Sequence, residues 1–130
     1  MNHIYAKTLP KLLTGAISFS GGLLFDLIVE NQTGYDKEFI SDIPLSNRLN
    51  LPVTVPLTIE NGVASANPDP NKRLAKFATA DETTLYGIVA YLPTGELMFY
   101  CEFGNIRHAK DGLFTFVYPR DLITLRVREL

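Results

Sequence analysis

The sequence contains very few of the residues that build metal sites and disulfides. Its 130 residues include one cysteine, Cys101, two histidines, His3 and His108, and no tryptophan. A single cysteine cannot form an intramolecular disulfide, and these three residues do not have the ligand spacing of a structural zinc site. We therefore expect no bound metal and no internal disulfide, and a reducing compartment is the simpler setting.

Motifs for nucleotides and for nucleophilic catalysis are also missing. Gly21 and Gly22 are not followed by the Gly-Lys-Ser of a phosphate-binding loop, and no dinucleotide fingerprint can be written. His3 lies at the terminus and His108 on a predicted loop, so neither is an oriented base beside a nucleophile. Cys101 falls on the apolar face of a predicted strand, which favours a buried thiol over a reactive one. We expect no catalytic residue, no cofactor and no enzymatic activity.

A strong excess of one charge and long apolar runs are absent too. Twelve Lys and Arg residues against 14 Asp and Glu residues give a net charge of -2, which disfavours binding to nucleic acid or anionic lipid. The most apolar segment, 23–29, contains Asp26 and is far shorter than the roughly 18 to 20 residues of a membrane span. Polar residues also interrupt the run 12–25, which disfavours an export signal. The sequence predicts a soluble protein without nucleic-acid or membrane partners.

The remaining composition, 46% apolar and 20% charged residues, is typical of one folded domain covering residues 1–130. Residues 1–17 are expected to form an arm with a short helix from near Leu9 to Gly15, since proline at position 10 is tolerated only in a first helical turn. Segment 36–51 is expected to be a helical turn or an irregular loop. Strands are predicted at 23–29, 53–60, 63–66, 74–78, 85–92, 96–103, 114–118 and 123–127. About seven to eight strands without helical crossovers favour an all-β fold, an antiparallel sandwich or barrel.

Four further predictions concern details of the strands and of the loops between them. Segment 53–60 alternates apolar and polar residues as one half-buried strand, and Pro56 places it at a sheet edge. Asn61-Gly62 predicts a hairpin turn into 63–66. Residues 104–112 are expected to form a polar loop. Strand 96–103 is expected to place Leu97, Phe99, Cys101 and Phe103 on a core face and Glu96, Met98, Tyr100 and Glu102 on the other face.

Three regions have features of protein-binding surfaces. Termini and loops commonly carry binding residues, arginine is enriched at interfaces, and an edge strand offers unpaired backbone groups. A solvated sheet face is the alternative for the basic residues, and a tyrosine platform for carbohydrate is weakened by the absence of tryptophan. The candidate partner-binding residues are Lys7 and Lys11 in the N-terminal segment, Val55 and Leu57 in the edge strand, and Arg107 and Lys110 in the loop 105–111.

Short motifs occur in a recognisable order over about residues 7 to 127. Segment 11–17 reads KLLTGAI and precedes an apolar strand, and 35–43 contains the pattern Y, D, F, SDI. The C-terminal half adds FATAD at 77–81, a strand at 86–91, TG at 94–95, EFG at 102–104 and GLFTF at 112–116. This order resembles a family of small structural proteins of tailed-bacteriophage virions. The chain departs from that pattern in its shorter, proline-rich middle, 49–71, and in lacking the tryptophan that follows the family's AD step.

The resemblance implies a non-enzymatic virion component, in particular a capsid decoration or cement protein that stabilises the shell of the major capsid protein. It also implies synthesis in the cytoplasm of the host bacterium, a place on the outer capsid surface, and a homo-oligomer, with a trimer favoured. Its partners would be the major capsid protein or other virion proteins. Two alternatives stay open: a structural protein of the neck, tail or fibre attachment point, and a module that binds a host receptor or carbohydrate. A cement protein needs broad protein contact, whereas a receptor module needs a groove lined by aromatic residues.

Overall fold

The computed structural model describes residues 2–5, 7–14, 22–30, 36–56, 58–60, 63–65, 69–79, 81–108, 112–117 and 123–124. Strands predominate among these residues, and their pairings are antiparallel. The expectation of an all-β, mostly antiparallel fold is therefore confirmed. The strands are β1 (Asn2–Ile4), β2 (Gly22–Ile28), β3 (Val53–Pro56), β4 (Thr58–Glu60), β5 (Val63–Ser65), β6 (Leu74–Thr79), β7 (Thr83–Tyr91), β8 (Leu97–His108), β9 (Gly112–Val117) and β10 (Ile123–Thr124). The helical segments are α1 (Thr8–Leu13) and the 3-10 turns Ile40–Asp42, Leu45–Asn47 and Pro70–Lys72.

A central sheet of five strands has the order β1-β8-β7-β2-β3. Its strands β2 and β7 are apolar on both faces, and apart from the half-buried Leu24 every residue of β2 is buried; the strand predicted at 23–29 is thereby confirmed. The other described strands form a sheet of order β10-β5-β4 and a ribbon of β6 and β9. The central sheet therefore separates two hydrophobic cores.

One core lies between the central sheet and the β6–β9 ribbon. Phe25 of β2 is fully buried and meets the rings of Phe99 and Phe116 edge-on, with centroid distances of 6.0 and 5.9 Å. Phe77 of β6 is buried in the same cluster. Because large side chains from both layers meet here, the ribbon covers this face of the sheet.

The opposite face of the sheet is covered by the N-terminal residues and by segment 36–49. Ile43 and Tyr5, which are 0% and 1% exposed, come from these two coverings. They pack against Ile28 of β2 and Tyr91 of β7. The irregular structure predicted for 36–51 is confirmed, and its two 3-10 turns close this second core.

The predicted strand 53–60 is divided into β3 and β4, which belong to different sheets. The pairing of β3 with β2 ends at Pro56, because proline has no N–H to continue the ladder. The edge position predicted for this segment is confirmed for β3. Glu60 pairs with Val63, as the predicted hairpin requires, while Asn61 and Gly62 themselves lie outside the described residues.

The predicted division of side chains along strand 96–103 is wrong at its beginning. The register between β7 and β8 shifts between Ala90 and Tyr91, which makes Met98 an extra residue on β8. Met98 therefore joins the core under the ribbon, whereas Leu97 joins Tyr100 in the opposite core. Such a bulge changes the face of every residue before it, and both faces of the strand are buried at this end.

Residues 104–108 and the two ends of the chain differ from the sequence expectations as well. Residues 104–108, predicted as loop, continue β8, and Thr83 pairs with His108. Asn2–Ile4, predicted as part of an arm, forms β1 against β8. The helical segment α1 spans Thr8–Leu13, whereas Gly15, the predicted helix end, lies outside the described residues. Of the predicted strand 123–127, the structure describes β10 alone.

Candidate functional site

The two lysines predicted to bind a partner lie in a cluster of charged, polar and aromatic residues, which we call the N-terminal clasp: Lys7, Thr8 and Lys11 with Asp36, Glu38 and Phe39. Lys7 Nζ is 3.4 Å from Asp36 Oδ1, and Lys11 forms an ion pair with Glu38. The Lys11 ammonium also lies 4.7 Å from the centroid of the Phe39 ring. Both lysines are therefore engaged by groups of their own chain.

Hydrogen bonds to the backbone of β8 hold the clasp in place. The hydroxyl of Thr8, which is 1% exposed, donates to the carbonyl oxygen of Leu97. The backbone N–H of Tyr5 donates to the carbonyl oxygen of Met98 at 3.1 Å, and Leu97 N–H donates to that of Glu38 at 2.8 Å. Because these bonds are partly buried while the lysines are partly exposed, the bonds to β8 anchor the segment more firmly than the ion pairs do.

The edge strand contributes differently from the expectation that named Val55 and Leu57. The side chain of Val55 is 1% exposed and belongs to the core under the ribbon, and Leu57 lies outside the described residues. Strand β3 also runs close to β6 of the ribbon. The Val55 side chain is therefore not available to a partner.

Arg107, the basic residue predicted for the loop 105–111, lies on β8 opposite Thr84. Its guanidinium pairs with the Glu82 carboxylate, and the two side chains are 78% and 53% exposed. Exposed pairs of this kind contribute little to stability. Because its side chain is largely exposed, Arg107 remains accessible at the surface. Lys110 lies outside the described residues.

Asp26 is a feature that the sequence reading did not single out as functional. Its side chain is fully buried in β2. Oδ1 accepts hydrogen bonds from the N–H groups of Leu27 at 2.9 Å and Leu51 at 3.4 Å, and Oδ2 accepts one from Asn50 at 3.0 Å. Burial raises the pKa of Asp26, although these three N–H donors and the nearby Arg48 act in the opposite direction. One carboxylate thus joins the central sheet to a segment 24 residues away.

That segment, residues 44–52, exposes apolar side chains, and we call it the leucine loop. Leu45 and Leu51 are 62% and 57% exposed, and the prolines at both ends are exposed as well. The loop is nevertheless tightly held: Leu49 N–H donates to the carbonyl oxygen of Leu27 at 2.9 Å. Asn50 has a φ of 61°, a left-handed conformation that asparagine tolerates better than most residues. The loop is therefore a fixed platform that presents two leucines to solvent.

The sequence contains one signal for this platform. A carboxylate within an apolar strand must find hydrogen-bond partners when it is buried, and Asp26 stands alone in the apolar run 23–29. Nothing in the pattern of residues 44–52 tells which of its apolar side chains stay exposed, because Leu49 is packed against the core while Leu45 and Leu51 are not.

Metal and thiol chemistry have little support in the described part of the chain. Among those residues, no group of three or more His, Cys, Asp or Glu side chains could hold a metal ion. Burial raises the pKa of the Cys101 thiol and so favours its protonated form. No helix within the described ranges is long and apolar enough to cross a membrane.

Comparisons with known proteins identify no relative: no family model, no curated protein and no solved structure matches the chain.

Proposed function

We propose that this chain is a structural protein of a tailed-bacteriophage virion, a capsid decoration protein that docks on the major capsid protein through the leucine loop. The observation that carries the proposal is the pair Leu45 and Leu51, exposed at 62% and 57% on a loop bonded to a buried carboxylate. The order of short motifs over about residues 7 to 127 supports the assignment to virion structural proteins. We also interpret the β6–β9 ribbon and the central sheet as the two layers of a sandwich, with α1 as its short N-terminal helix.

The energetics of Asp26 favour a binding role for the loop. Burying a carboxylate is unfavourable, and two of its three backbone bonds go to the leucine loop. Such an arrangement keeps the loop in one conformation before any partner arrives. A preorganised loop loses less conformational entropy on binding than a flexible one, so its two leucines can contribute most of their burial energy to docking.

The contact of one copy would be small, and repetition would supply the strength. Burying a leucine side chain stabilises a complex by about 1.5 to 3 kcal/mol, so two leucines give modest affinity once the cost of association is included. A capsid offers the same site many times, and an oligomer that engages several sites gains avidity. A decoration protein on the outer capsid surface meets this need for repeated binding sites. We propose that it is made in the bacterial cytoplasm.

The first experiment is quantitative mass spectrometry of purified virions of the phage that encodes the chain. Copies of this protein are scaled to copies of the major capsid protein. A ratio near one, or a simple fraction of it, supports shell-wide decoration. A few copies per particle would overturn decoration in favour of a neck, tail or fibre attachment role, and absence from the particle would overturn the virion assignment.

A second experiment tests the leucine loop itself. The double variant Leu45→Ser, Leu51→Ser should bind particles of the major capsid protein at least about tenfold more weakly, with an unchanged melting temperature because both side chains are exposed. Ile106→Ser, at a β8 position that is 40% exposed, is the matched control and should bind normally. Equal binding by the double variant and the wild type would exclude the loop as the docking site.

A further inference from the structure

All but one of the described edge strands have a feature that hinders pairing with a further strand. Proteins protect exposed edges with short strands, prolines, lysines or a covering segment. Strands β1, β4 and β10 have three residues or fewer. Strand β3 ends in a proline and lies beside β6, and β6 carries the exposed Lys76. Among the residues that the structure describes, none of these devices is present on β9: the strand is six residues long, GLFTFV, without charge or proline.

One side of β9 is fully paired, and the side chains of 113–116 alternate between two faces. All six residues pair with β6. Phe114 and Phe116 face the core, where their centroids lie 5.5 and 6.2 Å from that of Phe103. Leu113, which is 61% exposed, and Thr115 lie on the outer face. In the part of the chain that the structure describes, β9 has β6 as its neighbour on one side and no strand on the other.

We propose that β9 pairs with β9 of a second copy of this chain, antiparallel and about a two-fold axis, to form a continuous β6–β9–β9–β6 sheet. A strand edge recognises an extended backbone, and an antiparallel edge is complementary to itself because it offers both N–H and C=O groups. A neutral strand brings no like charges together when two copies meet, whereas self-pairing of β6 would bring two Lys76 side chains onto one face. The two-fold axis keeps the outer faces on the same side, so both Leu113 side chains share one surface.

This inference does not rest on the proposed function, and it differs from the trimer implied by the resemblance. An isologous edge closes after two copies. Six residues of strand bury less surface than the roughly 1,200 Å² of a standard stable interface, so the dimer should be weak, with a dissociation constant in about the micromolar range. The test must therefore cover a wide range of protein concentration.

The test combines sedimentation equilibrium with hydrogen exchange of the full chain from about 1 μM to about 1 mM. The wild type should pass from monomer to dimer, and those amides of 112–117 that point away from β6 should gain protection over the same range. Thr115→Lys, which places a lysine on each of the two pairing strands, should weaken the dimer at least about tenfold. The matched control is Ala78→Lys, on the same outer face but on β6, and it should dimerise as the wild type does.

Several results would overturn the proposal. A chain that is monomeric at every concentration, a trimer, or a dimer that Thr115→Lys leaves intact excludes β9 pairing. Concentration-dependent protection of β1 or β3 in place of 112–117 excludes it as well. If Thr115→Lys fails to fold, the exchange pattern of the wild type decides the question on its own.

Discussion

Gly87 occupies a position where β7 has no room for a side chain. A Cβ atom there would lie 2.5 Å from the carbonyl oxygen of Cys101 and 2.5 Å from the ring of Tyr100. Tyr100 is 1% exposed and β8 is held on both sides, so neither neighbour can move cheaply. The close approach of the two strands therefore requires glycine here, although the sequence shows it only as an interruption in an apolar run.

We predict that Gly87→Ala lowers the free energy of unfolding by about 2 kcal/mol or more, because the extra methyl overpacks a rigid site. Urea denaturation measures this directly. The matched control is Gly104→Ala on β8, where an added Cβ meets no atom within 4 Å. It should be neutral or stabilise by about 0.5 to 1 kcal/mol, as expected for glycine replaced within a strand. Similar losses in the two variants would contradict the packing argument.

Asp26 makes a specific contribution to the pH dependence of stability. Burial raises its pKa above the ordinary value of 3.8, so the folded protein binds this proton more tightly than the unfolded chain does. The carboxylate therefore destabilises the fold at neutral pH. As the pH falls through the raised folded pKa toward 3.8, the destabilisation disappears. We predict that the free energy of unfolding of the wild type, minus that of Asp26→Asn, increases as the pH is lowered through this interval. Urea denaturation at successive pH values measures this difference.

Asp42 supplies the control with the opposite sign. The N–H groups of Phe39 and Glu38 donate to its Oδ2 at 3.0 and 3.3 Å and lower its pKa below 3.8. Its stabilising contribution is present above pH 3.8 and is lost as the pH falls through the lowered folded pKa. The difference between wild type and Asp42→Asn should therefore decrease on acidification. A difference for Asp26 that also decreases would show that its bonds to the leucine loop outweigh its burial.

At the scale of elements, the N-terminal clasp shows which contacts hold a segment on the sheet. Thr8→Val removes the buried bond to the carbonyl oxygen of Leu97 and leaves that acceptor without its donor, at an expected cost of about 1 to 2 kcal/mol. Lys11→Met keeps the stem over Phe39 but removes the ion pair with Glu38, at an expected cost below about 1 kcal/mol. Thermal and urea unfolding compare the two variants. A larger loss for Lys11→Met would mean that the ion pair is the main anchor.

The elements that could be predicted from sequence are those determined by local pattern. The apolar run 23–29 and the short segment 74–78 are predicted as strands from local pattern alone and correspond to β2 and β6, and Pro56 marks the edge strand. The bulge at Met98 could not be predicted, because it depends on how β8 fits against β7 across the sheet. A pattern of period two carries no information about an extra residue in one strand.

The candidate site was less predictable than the fold for the same reason. Lys7 and Lys11 have the appearance of free basic residues in sequence, and their carboxylate partners stand more than 25 residues later. The position of exposed Leu51 is fixed by hydrogen bonds from its own N–H and that of Asn50 to Asp26, which is also distant in the chain. Long-range contacts decide which side chains remain available to a partner, and a single sequence does not show them.

For the whole molecule, the two kinds of candidate docking surface differ in how they respond to salt. The leucine loop presents uncharged side chains, while Lys7, Lys11 and Arg107 are already paired with carboxylates of the chain, and the net charge is only -2. Interactions between exposed charges are strongly screened at high ionic strength, but burial of apolar surface is not.

We therefore predict that the affinity for capsid particles changes less than about threefold between roughly 0.05 and 0.5 M NaCl. Biolayer interferometry on immobilised particles measures this for the wild type and for Arg107→Glu, a charge reversal at an exposed position. Arg107→Glu should bind as the wild type does if the leucine loop is the docking surface. A steep loss of affinity with salt, together with weak binding by Arg107→Glu at an unchanged melting temperature, would move the docking surface to the basic end of β8. Docking would then depend on the charge predicted from sequence and not on the leucines that the fold exposes.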